Sequence, residues 1–148
     1  MKRKYILLTN IFIIAILYGC GYKPVHSSKD FLFKIDQITH TNSKIDSQIE
    51  RSLKSISNNE ATNVLNLKLS SKKEKIIVSK NKNGDPEIFE LKILINIEIN
   101  DKEKKFLGKQ VYKNIGNKFE LNEYEIQIEK QIIYKMIDDI ILFLIELK

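Results

Sequence analysis

Residues 91–100 read LKILINIEIN, and this stretch decides the fold because apolar and polar side chains alternate along most of it. Its alternate apolar positions are Leu91, Ile93, Ile95, Ile97 and Ile99. Such alternation predicts a β-strand that turns one face to a core and the other to water. A sheet built on this strand should have one polar face, and its predicted members are Lys68, Ser70, Lys92, Asn96 and Glu98.

Weaker alternation predicts three further strands of the same sheet. The first is residues 31–36, the second is residues 65–70 and the last is residues 105–112. Residues 72–78 either continue the second of these strands through a bulge or form a loop. Asn-Gly and Asp-Pro pairs favour tight turns, so residues 83–86 (NGDP) carry the strongest turn signal in the chain. A second turn is predicted at residues 101–103.

The first predicted helix follows a polar connection at residues 39–42. Asn42 or Ser43 is its expected N-cap, and residues 57–59 should end it. Four apolar residues recur at helical spacing and predict the buried stripe: Ile45, Ile49, Leu53 and Ile56. The predicted wet side carries Asp46, Glu50, Arg51 and Lys54.

A longer helix is predicted over residues 122–147. Its apolar stripe comprises Ile126, Ile133, Ile137, Ile140 and Leu144. Charged residues interrupt this pattern at Lys130, Lys135, Asp138 and Asp139, so a core helix is a better interpretation than a membrane span. The order β-α-β-β-β-α then predicts an α+β fold, with a four-stranded, mostly antiparallel sheet and two helices packed on one face.

The start of the chain predicts export. Three basic residues precede an apolar run at residues 5–18, which would span about 21 Å as a helix, less than the roughly 30 Å hydrocarbon core of a bilayer. This pattern is typical of a cleaved signal peptide, here residues 1–19. Residues 20–30 would then form a tether, and residues 31–148 a single domain, because 148 residues suffice for one domain and hardly for two.

Leu17-Tyr18-Gly19-Cys20 fits a bacterial lipobox. The Cys20 thiol would take a diacylglyceryl group, and cleavage before it would free an α-amine for further acylation, which together give stable membrane anchoring. Because Gly21 is not aspartate, the expected location is the periplasmic face of the outer membrane. The alternative is an unmodified Cys20 behind an uncleaved anchor. Cys20 is the only cysteine in the chain, so it has no disulfide partner here.

Charge and motifs exclude several functional classes. Without Lys2, Arg3 and Lys4 the formal net charge falls from +6 to +3, and the remaining basic residues are scattered and almost all lysine, so nucleic-acid binding is not expected. The two histidines, His26 and His40, belong to no zinc-type cluster, and the five glycines form no phosphate loop. We therefore expect no enzyme activity, no metal and no cofactor.

One basic cluster has two interpretations. It comprises Lys72, Lys73, Lys75, Lys80 and Lys82. These lysines are either ordinary solvated side chains or contacts for anionic glycolipid phosphates, which lysine can meet as a point charge.

Residues 17–24, LYGCGYKP, resemble the lipobox and the Gly-aromatic-x-Pro start of the LPS-assembly lipoproteins, the LptE family. The order of predicted elements is similar too. The resemblance implies a lipoprotein that plugs the LptD outer-membrane barrel, helps it assemble and assists lipopolysaccharide delivery to the cell surface. Among site residues only Cys20 carries over position by position. The candidate glycolipid or partner contacts are Lys68, Lys72, Lys73, Lys75 and Lys92.

Two other functions remain open on the sequence alone. The chain could be a periplasmic lipoprotein subunit of another envelope machine, such as a barrel-assembly complex or a transporter. It could also be a small lipid-binding lipoprotein, which would need a cavity between helices and sheet. Co-purification of a large barrel would separate the LptE-type function from both.

Overall fold

The computed structural model describes residues 33–41 and 43–147. Its elements, in chain order, are β1 (Phe33–His40), α1 (Lys44–Ile56), β2 (Asn63–Lys80), β3 (Pro86–Ile99), β4 (Lys102–Lys113) and α2 (Lys118–Glu146). The predicted order β-α-β-β-β-α is confirmed. The predicted signal peptide, Cys20, the tether and His26 lie outside the described residues.

The four strands form one mixed sheet in the order β1-β2-β3-β4. β1 pairs with β2 in parallel, whereas β2 with β3 and β3 with β4 are antiparallel. The parallel pair needs a crossover between its strands, and α1 is that crossover. The predicted α+β fold with a mostly antiparallel sheet is therefore confirmed.

Both helices pack on the same face of the sheet, which we call the inner face. The alternate residues of β3 predicted to be buried, Leu91 to Ile99, all lie in the core with the apolar stripes of α1 and α2. The opposite, outer face carries the predicted polar residues. On it Lys68 pairs across the sheet with Glu98, and Ser70 with Asn96.

The structure settles the alternative left open for residues 72–78. β2 continues through them to Lys80, with an irregularity in its pairing between Ile77 and Ser79. At the other end of the sheet, the predicted 39–42 connection is shorter than expected, because β1 runs to His40. The β3–β4 turn is formed by Asn100 and Asp101, both at positive φ, one residue earlier than predicted. Two-residue hairpin turns need this backbone conformation, which Asn and Asp tolerate.

α1 begins as predicted with Ser43 as its N-cap, whose hydroxyl accepts a hydrogen bond from the Asp46 amide at 2.9 Å. The prediction that Asp46 lies on the wet side is wrong, since this side chain is fully buried. Its carboxylate accepts a 2.6 Å hydrogen bond from the Thr41 hydroxyl. Asp46 lies in the first turn of α1, and its bond to Thr41 connects the helix to the chain that arrives from β1.

α2 begins at Lys118, four residues before the predicted start. The Asn117 side chain caps it by accepting hydrogen bonds from the amides of Phe119 at 2.9 Å and Glu120 at 3.4 Å. Most of the predicted stripe is buried, but Ile126 is only half-buried, and Ile128 and Ile132 are buried with the stripe. Within the described part of the chain, neither helix combines the length and the apolar character that crossing a bilayer would require.

Candidate partner-binding surface

The outer face of the sheet is left uncovered by the helices, and three predicted contact residues, Lys68, Lys72 and Lys92, lie on it. Lys68 forms an ion pair with Glu98 across the β2–β3 ladder at 2.8 Å. Lys72 pairs with Glu74 at 2.7 Å on the same strand. The neighbouring Lys72 ammonium holds the pKa of the Glu74 carboxyl below its usual range. Lys92, on β3, stands opposite Glu74.

The other two candidates, Lys73 and Lys75, lie on the inner face. The Lys73 ammonium donates to Glu129 of α2 at 2.9 Å, and the Lys75 ammonium donates to Glu125. Lys75 also lies 4.1 Å from the centre of the Phe89 ring, a distance at which a cation and an aromatic face attract. These two lysines therefore join the far half of β2 to α2, and the predicted five-residue contact set is divided between the two faces.

Three aromatic residues, Phe89, Tyr112 and Tyr124, lie beside the Lys75–Glu125 ion pair. The buried Tyr112 hydroxyl donates a 2.8 Å hydrogen bond to Glu125, and the Tyr112 ring contacts Phe89 and Tyr124 with centroids 5.7 and 6.0 Å apart. Burial, followed by the adjacent Glu125 carboxylate, raises the pKa of Tyr112 well above its ordinary value. Tyr112 thus stays protonated and holds the first half of α2 on the sheet.

We expect Tyr112→Phe to lower the free energy of unfolding by about 1.5–3 kcal/mol at neutral pH, since it removes one hydrogen bond to a charged acceptor. Because the pKa is raised in the folded state, this contribution is complete below the unfolded value of about 10 and is lost as pH rises above it. Urea unfolding at pH 7 to 11 should show the difference between the native protein and Tyr112→Phe shrinking above pH 10. A constant difference would contradict the assignment.

His40, the histidine within the described residues, has a structural role, because it joins β1 to α1. Its ring nitrogen lies 3.0 Å from the Glu50 carboxylate of α1, which also accepts from Lys54 at 2.8 Å. Lys54, and after it His40, lowers the pKa of Glu50. This network ties β1 to α1. The described residues contain no group of three or more metal-binding side chains.

The outer face also carries apolar residues that the sequence reading did not assign to it. Leu94 of β3 and Leu107 of β4 stand directly opposite each other. Nearer the β2–β3 turn, Ile76 and Val111 lie on either side of Glu90 of β3. Leu107 is 56% exposed and Val111 is 54% exposed. The sequence does contain a sign of this apolar patch, because Leu94 is an apolar residue at a position of the 91–100 alternation that is otherwise polar.

Two shallow depressions mark the end of the outer face near the β3–β4 turn. One, of about 270 Å³, is bounded by β1, β2 and β3 around the Lys68–Glu98 ion pair, and Gln37 and Asn66 contribute to its walls. The second, of about 300 Å³, lies beside it around Ser70 and Asn96. Both are lined mainly by polar side chains, so this end of the face is better suited to wet, polar contacts than to an apolar ligand.

The fold is shared with bacterial lipoproteins of known structure. The chain aligns with the crystal structure of rare lipoprotein B from Shewanella oneidensis at a TM-score of 0.56 and 15% identity, over 72% of this chain and 91% of that one. It aligns with the solution structure of an uncharacterized lipoprotein B from Nitrosomonas europaea at 0.60 and 16% identity, over 82% and 88% of the two chains. A scan against models of protein families and a search of curated protein sequences found no match. The chain therefore has the fold of these lipoproteins.

Proposed function

We propose that this protein is a lipid-anchored lipoprotein of the outer membrane that sits in the lumen of an LptD-type barrel, helps that barrel assemble and assists lipopolysaccharide transport. The observation that carries the proposal is a lipobox ending at Cys20 in a chain that has the fold of rare lipoprotein B. The resemblance of residues 17–24 to the LPS-assembly lipoproteins supplies the finer assignment. The role is binding and scaffolding, without catalysis.

The outer face supports the proposed partner. Barrel interiors are polar and wet, and they offer little to a hydrophobic docking surface. The outer face meets such an environment with ion pairs and amides at the end near Lys68, Ser70 and Asn96. Lys72 and Lys92 are placed on the same face, where they could meet barrel carboxylates or glycolipid phosphates.

Cys20→Ala tests the anchor. We expect this variant to fold as the native domain does, because Cys20 precedes the first strand by 13 residues in the sequence. It should be lost from the membrane fraction because the acyl chains are absent. The measurements are membrane fractionation and urea unfolding of the soluble product. A variant that stays in the membrane fraction would contradict the anchor assignment.

The barrel partner is tested by affinity purification of the tagged full chain from detergent-solubilised outer membrane. We expect an LptD-type barrel, identified by mass spectrometry, to co-purify with the native protein. Lys92→Glu should reduce the recovered barrel, because it reverses a charge on the outer face. Lys130→Glu is the matched control, since Lys130 is an exposed lysine of α2. Equal recovery with both variants would place the contact elsewhere, and an absent barrel would contradict the proposed partner.

A further inference from the structure

β4 is an edge strand whose outer side meets no other strand among the described residues. It pairs with β3 along its whole length, from Lys102 to Lys113. An edge strand leaves half of its backbone N–H and C=O groups without sheet partners. β4 therefore offers a long line of free backbone hydrogen-bonding groups.

The pairing identifies which backbone groups point outward. The amide of Asn114 donates to the Glu87 carbonyl at 2.8 Å, so these two residues form a hydrogen-bonded pair. Hydrogen-bonded and non-hydrogen-bonded pairs alternate along an antiparallel ladder. With the uniform β3–β4 register, the even-numbered residues of β4 bond to β3. The outward N–H and C=O groups consequently belong to Glu103, Lys105, Leu107, Lys109, Val111 and Lys113.

These outward residues combine charge with apolar surface. From residue 105 to residue 113 their side chains, which lie on the outer face, alternate between lysine and an exposed apolar residue, Leu107 or Val111. Lysines alone would suffice to keep an edge from pairing with another copy of itself. Exposed leucine and valine beside free backbone groups weaken that protection, and they favour an edge that receives a strand of a different protein.

One row of the outer face, formed by Glu74, Lys92 and Lys109, carries two positive charges against one negative charge. Lys92 and Lys109 stand directly opposite each other in a non-hydrogen-bonded pair, where side chains come closest and like charges repel. Beyond Lys92 the row continues to Glu74, which is already paired with Lys72 at 2.7 Å. Beyond Lys109 the row is open, and no ion pair of Lys109 is found among the described residues. An acidic side chain on that side would relieve the repulsion.

We propose that the open edge of β4 binds an extended, acidic segment of a partner protein, which joins the sheet as a fifth strand. The register predicts the segment's pattern: an acidic residue opposite Lys109, apolar residues two positions away on either side, opposite Leu107 and Val111, and acidic residues opposite Lys105 and Lys113. A second copy of this chain fits less well. Centred on Leu107 or Lys109, β4 paired with itself sets lysine against lysine, and centred on Gly108 it leaves Lys105 and Lys109 opposite Val111 and Leu107. The proposal is independent of the barrel function above.

The test uses the full chain in detergent and the nonapeptide Glu-Thr-Val-Thr-Glu-Thr-Val-Thr-Glu, blocked at both ends, with a matched peptide that has lysine at each glutamate position. We expect the glutamate peptide to bind in a fluorescence-anisotropy titration and to slow hydrogen exchange at the outward amides of Leu107, Lys109 and Val111. The lysine peptide should not bind. Absence of glutamate-peptide binding would overturn the proposal.

Val111→Pro separates strand addition from simple charge attraction. It removes one outward N–H but no β3–β4 hydrogen bond, and proline is tolerated at such edge positions. We expect about a tenfold loss of peptide affinity, against little change for the control Val111→Ala, which keeps the N–H. If Val111→Pro and Val111→Ala bind the peptide equally well, the surface is attracted to negative charge alone, whether on a peptide or on an anionic lipid. That result would overturn the proposal. If Val111→Pro fails to fold, two other measurements replace it. Lys109→Glu should weaken peptide binding, and the peptide should slow hydrogen exchange at the outward amides of β4; exchange that the peptide leaves unchanged there would overturn the proposal.

Discussion

Ile95→Ala should lower the free energy of unfolding by about 2–5 kcal/mol, the usual range when a large buried side chain is truncated. Ile95 is fully buried in the middle of β3, where it stands between Ser71 of β2 and Phe106 of β4. Both helices cover this face of the sheet, so neighbouring side chains can only partly refill the cavity. Since a single domain has about 5–15 kcal/mol in total, the variant should unfold at a clearly lower urea concentration.

Lys92→Ala is the matched control for Ile95→Ala. It lies on the same strand but on the outer face, and we expect its stability to stay within about 0.5 kcal/mol of the native protein. Ile137→Ala, a buried position in the middle of the α2 stripe, should resemble Ile95→Ala, because both residues belong to one core. Urea unfolding followed by circular dichroism measures all three variants. If Lys92→Ala unfolded and Ile95→Ala did not, the two faces of the sheet would be wrongly assigned.

The faces of β3 were predictable because period-two alternation reports burial directly, and nothing in residues 91–99 but Leu94 departs from it. The far half of β2 was ambiguous for a physical reason. Lys73 and Lys75 occupy inner-face positions where the pattern calls for apolar residues, and the carboxylates that satisfy them, Glu129 and Glu125, lie 56 and 50 residues away. A local pattern contains no information about such distant partners.

The candidate site was predictable only in part for a similar reason. Lys68 and Lys92 could be placed on the polar face from alternation alone. That β4 is an edge strand depends on the order of strands in the sheet, which the alternation of a single strand does not reveal. Because the exposure of Leu107 and Val111 depends on that order, the local sequence does not distinguish them from buried strand residues. Asp46 was misplaced because its burial depends on how the chain enters α1.

Gly108→Ala should destabilise the protein by about 1–3 kcal/mol, although alanine is normally at least as good as glycine in a strand. Gly108 lies on the inner face of β4, where α2 makes its close approach. A Cβ at this position would lie 2.3 Å from the Cγ2 methyl of Ile132 and 2.7 Å from the Met136 sulfur. The methionine can move, but the β-branched Ile132 is held in the core, so the helix must shift or the isoleucine must leave its rotamer.

Gly116→Ala is the control for Gly108→Ala, because a Cβ there would meet nothing within 4 Å. Its stability should be unchanged or slightly higher, as expected when a glycine is replaced at an unstrained position. The cause of the Gly108 effect can be isolated with Ile132→Ala, which removes the clashing methyl at its own cost in buried surface. In that background Gly108→Ala should cost measurably less than in the native protein, since the two sites are in contact and their effects couple. Additive losses in this double-mutant cycle would mean that glycine is required at residue 108 for some reason other than the approach of α2.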